Sequence, residues 1–100
     1  MKRLPLSPEL VPLVLSGKKT TTVRLGVRNY TRGQAKIVSR DVEIPIEITD
    51  VGLTKVNRLD DEIAKSEGCD SVSDLMKLLR RFYPKLDDDQ DITIIRFRTL

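Results

Sequence analysis

Val42-Glu43-Ile44-Pro45-Ile46-Glu47-Ile48-Thr49-Asp50 is the stretch on which the fold turns. Val42, Ile44, Ile46 and Ile48 alternate with Glu43, Glu47 and Thr49, the period of two that sends successive side chains to opposite faces of a strand. Pro45 has no N–H for a ladder, so it points to an edge or a bulge. Residues 34–40 read as a strand before this one, and a short strand around 52–57 follows it. Further out, Thr20-Thr21-Thr22-Val23-Arg24-Leu25 is β-branched and alternating. Thr21, Val23 and Leu25 are expected toward the core, with Thr20, Thr22 and Arg24 on the opposite, outward face. Residues 26–33, with Gly26, Asn29 and Gly33, form a loop. Ile92-Thr93-Ile94-Ile95-Arg96-Phe97 closes the chain with a central-strand pattern.

Helices occupy the remaining segments. Ser7 caps and Pro8 opens a helix over residues 8–16, Leu10, Val11, Val14 and Leu15 form its apolar stripe, and Gly17 suits its C-terminal stop. Pro12 falls about a turn in and disturbs its regularity. Asp60 or Asp61 starts a second helix ending at Gly68. Ser71-Val72-Ser73-Asp74 resembles a capping box for a third, whose buried face is expected to be Leu75, Leu78, Leu79 and Phe82 and which Pro84 ends. The order α-β-β-β-β-α-α-β does not alternate strand and helix. It predicts an α+β fold, a small, mostly antiparallel barrel with flanking helices, in a single domain over residues 1–100.

Composition narrows the chemistry. The 100 residues include no histidine and one cysteine, Cys69. His general-base chemistry, Ser–His triads and the usual zinc sites are excluded, and no metal or other cofactor is expected. Cys69 has no partner for an internal disulfide and reads as an inert small residue. Apolar runs fall well short of the ~18 residues of a membrane span. Pro5, Ser7, Pro8 and Glu9 interrupt what could otherwise be a leader's apolar core, so a cytoplasmic protein without membrane attachment is expected. The acidic run Lys85–Asp91 reads as a solvated loop, without the spacing of an EF-hand.

Charge divides the chain in two. Residues 1–40 carry nine Lys/Arg against one acid, Glu9, whereas residues 41–100 carry nine against fourteen. The basic half suits an anionic partner, and it equally suits folding against the acidic half. Its densest functional pattern is Gly17-Lys18-Lys19-Thr20-Thr21-Thr22-Val23-Arg24. Cations beside a hydroxyl-bearing strand face fit a phosphate or a polar base edge, or they form an ordinary surface turn. A lysine near Arg24 has its ammonium form disfavoured by like charge, one route to a lysine base. The RNA- or nucleotide-binding candidates are Lys18, Lys19, Thr20, Thr22, Arg24, Arg28, Tyr30 and Arg32. Tyr30 is the expected base-stacking ring, with Phe82 and Phe97 in the core and Tyr83 structural.

This segment resembles the signature of the ASCH domain family, relatives of the PUA RNA-binding domain. Arg32-Gly33, Asp60 through Glu67-Gly68, Ser73-Asp74-Leu75 through Phe82-Tyr83-Pro84, and Thr93–Phe97 resemble further family features in the same order, so the likeness spans nearly the whole chain. One departure is Gly33-Gln34, where the family usually has Gly-Asp. The resemblance implies a five- or six-stranded PUA-like β-barrel whose helices flank a cleft, with RNA or a nucleoside or nucleotide as partner. Similar small members include amidohydrolases of N4-acetylcytidine, which implies a catalytic set of Lys19, Thr22 and Glu67, with Glu62 and Asp74 as alternative acids. Lys19 would then activate Thr22 or a water against the acetyl carbonyl, Arg24 or a backbone N–H would stabilise the oxyanion, and Glu67 would hold Lys19 or pass a proton to the leaving amine. The leading reading is an RNA- or nucleotide-binding domain using a basic cleft around this segment; the amidohydrolase is the alternative, and a ribonuclease and a protein-interaction domain are further competitors.

Overall fold

A computed structural model describes residues 2–100; Met1, the first residue of the expected domain, lies outside them. The elements run β1 (Lys2–Pro5), α1 (Val11–Leu15), β2 (Thr21–Leu25), β3 (Gly33–Ser39), β4 (Val42–Lys55), α2 (Asp61–Ser66), α3 (Val72–Phe82) and β5 (Asp91–Thr99), with 3-10 turns at Pro8–Leu10 and Val56–Arg58. The strands form one five-stranded sheet ordered β1-β3-β4-β5-β2. β1 runs parallel to β3 and every other pairing is antiparallel. The fold is the expected α+β class, a curled, mostly antiparallel PUA-like half-barrel with helices against it.

β4 causes much of the curl. The two strands expected over 42–50 and 52–57 are one strand of 14 residues. Ile48 pairs with Phe97 and Asp50 pairs with Arg96, which leaves Thr49 as the extra residue of a bulge. A bulge bends its strand and increases the local twist. It also changes the parity: Ile44, Ile46 and Ile48 are buried before it, Asp50 is exposed, and Val51 packs on the core after it. Pro45 is tolerated because β5 runs out beside it. Its carbonyl accepts from the Leu100 N–H at 3.2 Å, and the β4–β5 ladder reaches no further than Ile46–Thr99.

Two local expectations need correction. The expected element order has no strand ahead of the first helix, yet β1 pairs along β3 from Lys2↔Ala35 to Pro5↔Val38. Four residues are too few to carry a period, and only Leu4 is buried. The helix expected over 8–16 divides into the 3-10 turn and α1, because Pro12 has no N–H to donate to the Pro8 carbonyl, which accepts from the Val11 N–H instead. Leu25, at the end of β2, is partly buried and packs against the core as expected. The other two helices start as read. Asp60 accepts from the Ile63 N–H at 2.9 Å and Ser71 from the Asp74 N–H at 3.2 Å, caps that contribute about 1 kcal/mol each.

Two apolar clusters share β5. Ile95 and Phe97 join Leu4, Val14, Ile37, Ile46 and Ile48 in the concave face. Ile92, with Ile94 beside it, joins Val23, Ala64, Leu75 and Leu79 under α2 and α3. The edge strands β1 and β2 are not paired with each other, but an Arg24 Nη donates to the Pro5 carbonyl across the gap. That seam positions the site.

Candidate functional site

Backbone stitching fixes the Gly17–Arg24 segment. α1 ends at Gly17, whose φ of +82° suits glycine. The Lys19 N–H then donates to the Leu13 carbonyl at 2.9 Å and the Thr20 N–H to the Ser66 carbonyl at 2.7 Å, while the Thr20 carbonyl accepts from the Phe97 N–H at 3.0 Å. Lys19 also forms an isolated antiparallel bridge with Glu67. The turn is thereby held between the C-terminal ends of α1 and α2, which brings two distant charges together.

Lys19 Nζ donates to Glu67 Oε1 at 3.1 Å, and both side chains are almost wholly buried, at 2% and 4% exposure. Thr21 Oγ1 donates to Glu67 Oε2. Ser66 Oγ lies 2.8 Å from Thr21 Oγ1 and 2.6 Å from the Ile63 carbonyl, so its single proton serves one of these two acceptors. Both carboxylate oxygens are thus occupied, by an ammonium and by a hydroxyl. An ion taken out of water costs several kcal/mol unless it is paired and hydrogen-bonded, and this arrangement meets that condition.

The pair forms part of the wall of a 280 Å³ cavity at the seam. Thr22 and Arg24 line it from β2, Leu6 and Leu10 from the chain after β1, and Leu78, Phe82 and Tyr83 from α3 and its end. Burial holds the Arg24 guanidinium below the ordinary arginine value; the Tyr83, Tyr30 and Glu67 charges oppose that shift and Arg28 adds to it. Burial, then the Glu67 charge, pushes the Cys69 thiol up and away from thiolate chemistry.

The candidates named from sequence separate into groups. Lys19, Thr22, Arg24 and Glu67 meet in this cavity. Arg28 and Tyr30 line a neighbouring one that Arg24 also reaches. Lys18 is exposed and absent from both, and Thr20 serves through its backbone. Arg32 faces Asp50 at 3.4 Å on an exposed surface. Glu62 and Asp74 are exposed, and neither lines the cavity.

Thr21 lies toward the core as expected, at 0% exposure, but its hydroxyl, not that of Thr22, bonds Glu67. A threonine at a buried strand position needs a partner for its hydroxyl, and that need was the available signal. Two expectations fail: Thr22 is not on an outward face but is 3% exposed, paired with the buried Ile95 of β5. Phe82 was placed in the core but, as the last residue of α3, is 41% exposed at the cavity wall.

Four of the nine basic residues in the basic half are taken up by internal pairing. Arg3, Lys19, Arg32 and Lys36, all from the basic half, pair with Glu43, Glu67, Asp50 and Glu43 of the acidic half. Among the described residues, no group of three or more His, Cys, Asp or Glu side chains could hold a metal, and no helix is long and apolar enough to cross a membrane.

A family model described as an ASCH domain matches residues 3–100. The chain belongs to the ASCH domain family. The ASCH domain of Lactobacillus crispatus JV V101 superposes with a TM-score of 0.78 at 19% identity, over 91% of this chain and 70% of that one. The hypothetical protein PH0355 does so at 0.77 and 19%, over 100% of each chain. A mutant of ZmASCH from Zymomonas mobilis gives 0.65 and 19%, over 96% and 66%. At these identities the likeness concerns the ASCH fold alone. No curated protein sequence matches the chain significantly. Membership in the ASCH family supports a nucleic-acid-binding or hydrolase role in general terms.

Proposed function

We propose that this ASCH domain binds RNA or a nucleotide by taking one base into the cavity between β2 and α3. The observation that carries this reading is the cavity's two-sided character. Leu78, Phe82 and Tyr83 offer apolar and aromatic surface, while Lys19, Thr22, Arg24 and Glu67 offer donors and acceptors. At 280 Å³ it lies near the lower end of small-ligand pockets, roughly 300–1,000 Å³, which suits one base rather than a run of them. Phe82 is the stacking surface in this reading, in place of Tyr30. Titration with cytidine and a short oligoribonucleotide, followed by amide chemical shifts, tests it. Shifts at Thr22, Arg24 and Phe82 are expected, and Phe82→Ala should weaken binding by about 1–3 kcal/mol. No shift in the cavity residues with either ligand at low salt refutes it.

The buried Lys19–Glu67 pair favours a second reading, hydrolysis of the acetyl group of N4-acetylcytidine. Binding alone does not call for an ion pair at the cost of its desolvation. In this reading a proton passing from Lys19 to Glu67 leaves a neutral amine, which takes a proton from a water as its oxygen adds to the acetyl carbonyl carbon. Arg24 stabilises the resulting oxyanion. Collapse breaks the carbon–nitrogen bond as Lys19 passes that proton to the leaving N4; cytidine and acetic acid depart, the acid losing its proton to water, and Glu67 returns its proton to Lys19. Thr22 orients the water. Incubation with N4-acetylcytidine should release cytidine, and Thr22→Val should slow the release by about 10²-fold or more. Absence of release by the wild-type protein, or equal release by the variant, eliminates the hydrolase.

A further inference from the structure

Beside the base cavity lies a second, of 240 Å³, lined by Pro5, Arg24, Arg28 and Tyr30. Of the seven other basic residues in the same half, four are matched with acids, and Lys2, Lys18 and Arg40 have no ion-pair partner among the described residues. Arg3, Lys19, Arg32 and Lys36 each have a carboxylate within ion-pair distance, whereas Arg24 and Arg28 have none among the described residues. No carboxylate lines the cavity that these two arginines share.

Both guanidiniums are anchored on one side. Arg28 Nε donates to the Leu25 carbonyl at 2.8 Å, and its backbone N–H donates to Thr93 Oγ1 at 3.0 Å. One Nη of Arg24 donates to the Pro5 carbonyl. The remaining Nη donors of each are left for a ligand. The single proton of Tyr30 goes to the Arg3 carbonyl at 3.3 Å, so its ring serves as a wall. Two unbalanced like charges held side by side repel each other, and Arg28 adds to the depression of the Arg24 pKa. A tetrahedral anion with several acceptor oxygens removes that repulsion and fits fixed guanidinium forks.

We propose that this second cavity is a phosphate subsite, so that the substrate is a phosphorylated nucleotide unit with its base beside Lys19 and its phosphate between Arg24 and Arg28. The identity of the base rests on the function proposed above, but the anion site does not. Arg24 lines both cavities and so couples base and phosphate recognition. The phosphate is that of a free mononucleotide or of an RNA strand; the chemistry recognised is the same.

The test titrates the whole labelled protein at low salt with cytidine, cytidine 5′-monophosphate, a tri-ribonucleotide with central cytidine, and inorganic phosphate alone. The phosphorylated ligands should bind roughly ten- to a hundredfold more tightly than cytidine. Arg28→Ala should collapse that ratio toward one, and Arg28→Lys should restore part of it. Inorganic phosphate alone should shift the Arg24 and Arg28 signals. Equal affinity for cytidine and its monophosphate, with no phosphate-induced shift, overturns the subsite while leaving base binding intact. Phosphate shifts without binding of any base-bearing ligand leave the subsite standing and defeat the base-binding reading. Tighter binding of the trinucleotide assigns the strand diester, and tighter binding of the mononucleotide assigns the free nucleotide.

Discussion

Two Lys–Glu pairs in this molecule have nearly the same length and different fates. Lys19–Glu67 spans 3.1 Å with side chains 2% and 4% exposed; Lys36–Glu43 spans 3.0 Å with side chains 23% and 51% exposed. The second joins neighbouring strands on the outer surface, and Arg3 also approaches Glu43. Water screens it, and such pairs contribute little to stability. The first joins residues 48 positions apart, is closed in by Thr21, and borders a cavity. Ion-pair distance does not separate the two; burial and the surrounding partners do.

Removing one member of the buried pair should have the largest effect. Lys19→Ala or Glu67→Ala strands an unpaired charge, which costs roughly 3–5 kcal/mol and lowers Tm by more than about 10 °C for a domain of this size. Lys36→Ala should leave Tm within about 3 °C. The double variant Lys19→Met/Glu67→Leu should recover most of the lost stability, because an apolar pair of similar volume carries no desolvation cost. If the double variant is stable yet neither binds ligand nor releases cytidine, the pair is held for function. Full activity in the double variant would break the comparison.

A smaller change probes the turn that fixes the buried carboxylate. Gly68 follows Glu67 with φ +86°, and a Cβ there would lie 3.1 Å from Leu13 Cδ1. Gly17 has a similar φ of +82° but open space around it. Both alanine variants carry the strain of a left-handed residue, about 1–2 kcal/mol. Gly68→Ala adds crowding against Leu13, so it should be the less stable of the two in thermal unfolding and should displace Glu67 from Lys19. Equal stabilities would show that Leu13 yields without cost.

The sequence made the central strand more legible than the site. Ile44, Ile46 and Ile48 announced β4 because a half-buried strand must alternate. The Thr49 bulge left no mark, since an extra residue is set by the partner strand's register. β1 was hidden by its length: Leu4 alone cannot show a period. Around the site, the Gly17 and Gly68 turns and the Asp60 and Ser71 caps follow from local chemistry and were readable. Lys19, Thr22 and Glu67 were named through family resemblance, and the cavity they line depends on α1, α2 and the seam converging in space. Thr21 was missed for the reason that most distinguishes the site. It obeys strand parity as a buried residue, yet its hydroxyl meets a carboxylate that parity does not reveal.

The smallest effect expected lies at the exposed pair, and its pH dependence gives the comparison a sign. Hydrogen bonding to Lys36 and the Lys36 charge, with a lesser contribution from Arg3, hold the Glu43 carboxyl below its ordinary value of 4.5. A carboxylate so depressed favours the folded state above the unfolded-state pKa, and that contribution disappears as pH falls through the lower, folded-state value. Glu43→Gln should therefore melt slightly below wild type at neutral pH, and the gap should close as pH is lowered below about 4.5. Salt should also shrink the gap at neutral pH, because the charges are open to solvent. Paired melting curves at high and low pH, each with and without added salt, measure this. A gap that persists unchanged into acid, or that ignores salt, would mean Glu43 contributes through packing and not through charge, and the exposed pair would then differ from the buried one in kind as well as in burial.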